Sequence, residues 1–255
     1  MIVNVILQAR FSSTRLPGKV LKKIVNKPML ALQIERIQTA KFIDKIIVAT
    51  SLGKEDDDIA LLCESLGVYC FRGSLDDVLD RFYQTAKQFP CDHIVRLTGD
   101  CPLIDSEILD SVINLHLENN ADYTSNIEPP MLPDGLDVEI FTLSSLNRAW
   151  KEAKKPSERE HVTPYIRNNP ELFTQQNFSY HKNLSHLRWT VDEKEDFEFV
   201  SHIFQSLYND KPTFDMEDIL MLLKEKTKLT SINKKYTRNE GMKSSKKKDN
   251  KLGYS

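Results

Sequence analysis

The chain of 255 residues holds only four cysteines, Cys63, Cys70, Cys91 and Cys101, and no CxxC pair. That spacing argues against a structural zinc site or a disulfide framework. It has no apolar run near the roughly 18 residues that a membrane span needs, and its opening Met1-Ile2-Val3-Asn4 lacks the basic segment of a signal peptide. The expectation is a soluble, cytoplasmic protein without a membrane span. Neither a Walker loop nor GxGxxG occurs, which excludes two common phosphate cradles. Large net charge is also missing, at −2, but the balance is uneven. Residues 233–255 carry eight Lys/Arg and two Asp/Glu, while residues 1–232 carry 27 and 35, a net −8. An acidic body excludes broad coating of nucleic acid, which relies on Lys and Arg neutralising phosphates.

What is present reads as an ordinary globular chain, 40% hydrophobic and 28% charged. Strand-like runs at 3–7, 45–50, 68–71 and 93–97 alternate with helical patterns at 28–40, from 55 through the apolar face Ile59, Leu62 and Leu66, 75–89 and 106–118. Such alternation implies a mostly parallel sheet with helices on both faces, binding ligands at the C-terminal strand ends. Beyond residue 122 the pattern is mixed: a strand at 136–141, helices at 143–153 and 158–166, a strand or loop at 187–191, and helices at 194–208 and 216–224. Residues 1–232 are expected to form one domain, with 122–141 a candidate exchanged arm. Residues 233–255 form a basic tail whose few apolar residues predict partial disorder.

Three polar clusters fall at predicted strand ends. The first, Gln8-Ala9-Arg10-Phe11-Ser12-Ser13-Thr14-Arg15-Leu16-Pro17-Gly18-Lys19, packs three cations and three hydroxyls into twelve residues. Arginine forks and a lysine point charge suit a polyphosphate, with hydroxyls and backbone amides filling the remaining acceptor sites. The second is Thr50-Ser51, and the third runs from Arg96 to Asp100.

The twelve-residue loop, together with Arg96-Leu97-Thr98-Gly99-Asp100-Cys101-Pro102-Leu103-Ile104, Asp134-Gly135-Leu136-Asp137-Val138-Glu139, Arg159-Glu160-His161-Val162-Thr163-Pro164-Tyr165, Arg188-Trp189-Thr190-Val191-Asp192-Glu193 and Arg238-Asn239-Glu240-Gly241, resembles the cytidylyltransferases that make CMP-activated sugar acids. The likeness is greatest to the branch typified by the spore coat polysaccharide protein SpsF. It covers nearly the whole chain, and the loop departs from the branch only at Ser12, where the branch usually has glycine. The resemblance implies a three-layer nucleotide-diphospho-sugar transferase (GT-A-like) fold, a homodimer, and transfer of CMP from CTP to a sugar acid with release of pyrophosphate.

The resemblance also assigns roles. Lys19 stands nearest the β- and γ-phosphates, assisted by Arg10 and Arg15, with Gln8, Ala9, Ser12, Ser13, Thr14, Arg96 and Gly99 completing the nucleotide contacts. Mg²⁺ takes one or two carboxylates beside phosphate oxygens; Asp100 and Asp192 match the family's pair, although either also suits a helix cap. Thr50, Ser51, Arg72 and Ser74, at the ends of the second and third strands, are candidates for the base, with Arg72 equally suited to pair with Asp76 or Asp77. Acceptor candidates are Asp134, Asp137, Glu139, Arg159, His161 and Arg188, since a sugar carboxylate suits an arginine fork and its hydroxyls suit carboxylates. Against this, Glu139 alternates with Val138 and Ile140 and is equally placed to face solvent, and His161 also suits a structural role. The alternatives are a glycosyltransferase or another NTP-using transferase on this fold, and a non-catalytic nucleotide-binding protein. The Asp-x-Asp motif of such glycosyltransferases is missing where Gly99-Asp100-Cys101 ends the fourth strand. Ser12 motivates the non-catalytic reading, because a side chain there is costly if the backbone needs positive φ.

Overall fold

A computed structural model describes residues 1–238, 240–251, 253 and 254. The elements are β1 (Val3–Gln8), β2 (Lys23–Ile24), β3 (Lys27–Pro28), α1 (Met29–Ile37), β4 (Lys45–Ser51), α2 (Asp57–Ser65), β5 (Tyr69–Gly73), α3 (Val78–Gln88), β6 (His93–Thr98), α4 (Ser106–Asn119), β7 (Tyr123–Ser125), β8 (Glu139–Thr142), α5 (Leu143–Glu152), α6 (Pro156–His161), α7 (Pro164–Arg167), β9 (Gln175–Asn177), α8 (Lys194–Leu207), α9 (Met216–Glu225) and α10 (Glu240–Lys251). Seven strands form the main sheet in the order β5-β4-β1-β6-β8-β7-β9. Only β8 runs against its neighbours.

Alternate residues of each strand enter opposite cores, as the period of two requires. Val5, Leu7, Val95 and Ile140 pack with α1, α2, α4, α8 and α9. Ile6, Ile94 and Phe141 pack with α3, α5 and α7. Burial on both faces explains why β1, β4 and β6 read as apolar runs rather than alternating ones. The antiparallel β8 puts its N-terminal end, Glu139, beside the C-terminal end of β6, where Arg96 is its register partner. Loops on either side of that reversal therefore open onto one place.

Several expectations change. The strand placed at 136–141 begins at Glu139, and the helix placed at 158–166 breaks at Val162, whose φ is 72°. Segment 187–191 contributes one isolated bridge, Asp134 to Arg188. The candidate arm 122–141 opens with β7, a buried strand inside this chain's own sheet. The tail forms α10 against α6, where Ser157 N–H donates to Asp249 at 3.0 Å, so polar contacts supply what its composition lacks in apolar surface. Asn239, Leu252 and Ser255, part of the expected tail, lie outside the described residues.

Gly135 fixes the loop before β8. Its φ is +112°, and an added Cβ would lie 2.6 Å from Thr190 N and 2.7 Å from Trp189 C. The contact is secured on both sides, by Trp189 N–H to Asp134 O at 2.6 Å and Asp134 N–H to Leu187 O at 3.0 Å. Gly135→Ala is expected to cost about 1–3 kcal/mol for backbone strain alone, read as a lowered urea midpoint.

Candidate active site

A cavity of about 880 Å³ opens at the ends of β1, β6 and β8. The loop after β1 forms one wall. It is held from behind by Asp56, whose carboxylate accepts from Phe11 N–H at 2.6 Å and Ser51 N–H at 3.0 Å. Burial opposes the charge on Asp56, yet these donors hold its pKa below the usual carboxylate range. The loop closes on Gly18, which is left-handed at φ +66° and whose Cβ would meet the Phe11 ring at 2.8 Å. Among the described residues, the non-glycine positions with positive φ are Val25, Asn26, Asn120 and Val162. Ser12 is not one of them, so the steric cost of a side chain there is not incurred.

Lys19 leaves this loop for the floor of the cavity. Its ammonium donates to Val191 O at 2.7 Å and lies 2.9 Å from Asp192 and 3.4 Å from Asp100. Burial disfavours the ammonium, but the two carboxylates more than offset this and raise its pKa. Backbone geometry makes the meeting: Val191 N–H donates to Asp100 O at 2.7 Å, drawing segment 190–192 against the end of β6. Arg15 joins from the rim, 2.9 Å from Asp192 and 3.3 Å from Glu193. Arg10 is exposed on the cavity wall.

Among the described residues, no group of three or more His, Cys, Asp or Glu is arranged to hold an ion. Mg²⁺ needs only one or two carboxylates when phosphate oxygens and water complete its shell. Asp100 and Asp192, already gathered around one ammonium, fit that requirement.

The opposite wall is a charge network. Arg96 pairs with Glu139 at 2.5 Å, and Glu139 also accepts from Tyr123 Oη at 2.7 Å and Thr163 Oγ1 at 2.6 Å. Glu139 is therefore buried, not solvent-facing, because β8 is an interior strand. Burial alone would raise its pKa, and Arg96 is the largest influence bringing it below the ordinary value. Arg238 pairs with Asp137 and lies 3.8 Å from Asp134. Burial and neighbouring carboxylates nevertheless raise both acids. Arg167 also lines this wall.

Gln8, Ala9, Arg10, Ser13, Thr14, Arg15, Lys19, Arg96, Gly99, Asp100, Asp134, Asp137, Glu139, His161, Arg188 and Asp192 all line the cavity. Ser12, Thr50, Ser51, Arg72, Ser74 and Arg159 do not. Arg72 donates to Ser51 O and Gly53 O and pairs with Asp57 at 2.7 Å, not with Asp76 or Asp77. Ser74 accepts from Asp77 N–H, and Arg159 grips Asp77 at 2.6 Å. Arg188 reaches the rim, but its guanidinium is taken by Asp196 at 2.8 and 2.9 Å, Asp134 at 3.2 Å and Asp192 at 3.3 Å. It positions those acids and is no fork left for a sugar carboxylate. Sequence reasoning missed Arg167, Glu160 and Thr163, which lie within or beside a quoted motif, and Arg238, which opens another.

The cytidylyltransferase family matches residues 4–242. An uncharacterized protein of Methanocaldococcus jannaschii is 41% identical over 230 residues, 89% of this chain and 93% of its own. The spore coat polysaccharide biosynthesis protein SpsF of Bacillus subtilis is 34% identical over 224 residues, 86% and 92% of the two chains. The structure of a cytidylyltransferase from Leptospira borgpetersenii superposes with a TM-score of 0.86 at 35% identity, covering 90% of this chain and 97% of that one. The α/β fold with its mostly parallel sheet is thus that of the GT-A-like superfamily. The archaeal protein is the more similar of the two sequences, so the likeness is to the family and does not single out the SpsF branch. A match of this extent, over a cavity that joins the cationic loop to Asp100 and Asp192, shows that the chain belongs to the cytidylyltransferase family.

Proposed function

We propose that this chain transfers CMP from CTP to a hydroxyl of a sugar acid, forming a CMP-sugar and pyrophosphate for surface glycan assembly. The observation that supports it most is the convergence of Lys19, Asp100 and Asp192 at the foot of a cationic loop, facing a separate wall of Arg96, Arg167 and Glu139. In the reaction the acceptor oxygen bonds to the α-phosphorus, the bond from that phosphorus to the β-phosphate oxygen breaks, and the hydroxyl proton leaves to a base. Lys19, Arg10 and Arg15 take up the charge that grows on the departing pyrophosphate. Arg96 and Arg167, each held by one carboxylate contact, Glu139 at 2.5 Å and Glu128 at 3.3 Å, hold the acceptor carboxylate with their other guanidinium nitrogens, whereas Arg159 and Arg188 are each engaged several times over. Asp100 and Asp192 would hold Mg²⁺, whose chemistry when bound is to neutralise phosphate charge. The reading includes the homodimer and cytoplasmic setting implied by the resemblance.

A matrix of nucleoside triphosphates against sugar acids and sugar phosphates, scored by pyrophosphate release, tests it. CTP with a sugar acid should be the productive pair, and excess EDTA should abolish release. Release with a sugar phosphate and a different triphosphate would move the assignment to another transferase on this fold.

A further inference from the structure

The tail helix α10 enters the active cavity although the basic tail reads from its composition as partly disordered. Gly241, Met242 and Ser245 line the wall beside Glu160 and His161. Residues 243–251 lie beyond the family match, which ends at 242. The helix is attached by two buried polar side chains one turn apart, Ser245 at 3% and Asp249 at 5% exposure. Asp249 accepts from Ser157 N–H at 3.0 Å, in the first turn of α6. Ser245 Oγ lies 2.8 Å from Glu160 Oε2, 3.2 Å from Gly241 O and 2.9 Å from His161 Nε2.

That geometry assigns protons. A serine hydroxyl has one hydrogen to donate, and a carboxylate or carbonyl oxygen can only accept. The Ser245 hydrogen therefore goes to Glu160 or to Gly241 O, and the contact to His161 closes only if Nε2 is the donor. A neutral imidazole with its proton on Nε2 leaves a lone pair on Nδ1. Nδ1 has no partner among the described residues.

We propose that α10 completes the acceptor wall, with Ser245 as the positioning residue that holds His161 as its Nε2–H tautomer, so that Nδ1 accepts a hydrogen bond from a hydroxyl of the bound sugar acid. The ring is suited to this, since burial first and the nearby Arg96 second lower its pKa to about 4 and keep it neutral. The proposal rests on the reading above for its acceptor, but not for its proton.

Two measurements on the full-length chain test it. Imidazole ¹⁵N shifts should show His161 protonated on Nε2 in the wild type and on both nitrogens in exchange in Ser245→Ala. With the sugar acid that wild type turns over in the matrix above, Ser245→Ala should raise the acceptor KM by about tenfold, the loss of roughly one buried hydrogen bond, and leave the CTP KM unchanged. Ser245→Thr, which keeps the hydroxyl, should restore it. A wild-type Nδ1–H tautomer would overturn the proposal, as would an acceptor KM that stays put or moves together with that for CTP. If Ser245→Ala fails to fold, the wild-type spectrum and the threonine variant decide. If wild type releases no pyrophosphate with any sugar acid, the functional reading is what fails, and the spectrum still decides the tail contact.

Discussion

Lys19→Ala is expected to lower kcat for pyrophosphate release by about 10²-fold or more, the usual loss when a preorganised charge contact to a transition state is removed. The side chain is only 10% exposed and its ammonium is held at three points, on Asp100, Asp192 and Val191 O. All three ammonium hydrogens are thus engaged, and the longest contact, to Asp100 at 3.4 Å, is the one to be exchanged for a phosphate oxygen as charge develops. Because the lysine also separates two carboxylates, some loss of stability accompanies its removal, so turnover has to be compared at a temperature where circular dichroism shows the variant folded. Near-native kcat in a folded Lys19→Ala protein would remove the lysine from the chemistry and leave it a structural counter-ion.

The largest effect on stability is expected from Arg188→Met, about 3–5 kcal/mol, the range for breaking a buried ion pair by deleting one partner. Asp196 is fully buried and receives two of the guanidinium's hydrogen bonds, at 2.8 and 2.9 Å. Burial works to raise the Asp196 pKa, but Arg188 and the amides of Asp192 and Glu193 overcome it and hold the pKa below the ordinary value. A depressed folded-state pKa means the stabilisation is full above the unfolded value and is lost as pH falls through the folded one. The penalty of the substitution should therefore shrink in acid. Urea melts at neutral and acidic pH check both the size and the sign, and a double change, Arg188→Met with Asp196→Asn, which removes the charge but keeps an oxygen to accept from the Asp192 and Glu193 amides, should recover part of the loss. A cost under 1 kcal/mol at neutral pH, roughly the range of exposed pairs, would show the guanidinium to be dispensable to the fold.

The parallel half of the molecule was legible because both faces of its strands are buried. β1, β4 and β6 appear as mainly apolar runs, interrupted by Asn4 in β1 and Arg96 in β6, and the helices between them carry apolar periodicity long enough to read. β7 and β9, three residues each, give too short a pattern to register. The site was legible where one segment carries it, as in the loop from Gln8 to Lys19. It was not legible where a side chain's engagement is settled by distant partners. Arg188 and Arg159 look in sequence like the forks a carboxylate wants, yet Arg159 meets Asp77, 82 residues away, and Arg188 folds back on Asp196, eight residues on, while also meeting Asp134, 54 residues away. Glu139 was ambiguous for the same reason: its alternation is real, but an interior strand has no solvent face.

The reversed strand β8 bears on how the chain finds its register while folding. Only four residue pairs join β6 to β8, and Ile94 opposite Phe141 and Val95 opposite Ile140 are apolar pairs that would tolerate neighbouring alignments. A slip of one residue turns every side chain to the wrong face. A slip of two preserves the faces but breaks the pairing of charges. In one direction Arg96 would face Phe141 and Glu139 would face Thr98; in the other, Arg96 would face Asp137 while Glu139 met Ile94. Either way a glutamate loses its arginine inside the sheet, at the cost that an unpaired interior charge carries. The ion pair between Arg96 and Glu139 thus favours the observed register over its neighbours by the cost of leaving that charge unpaired.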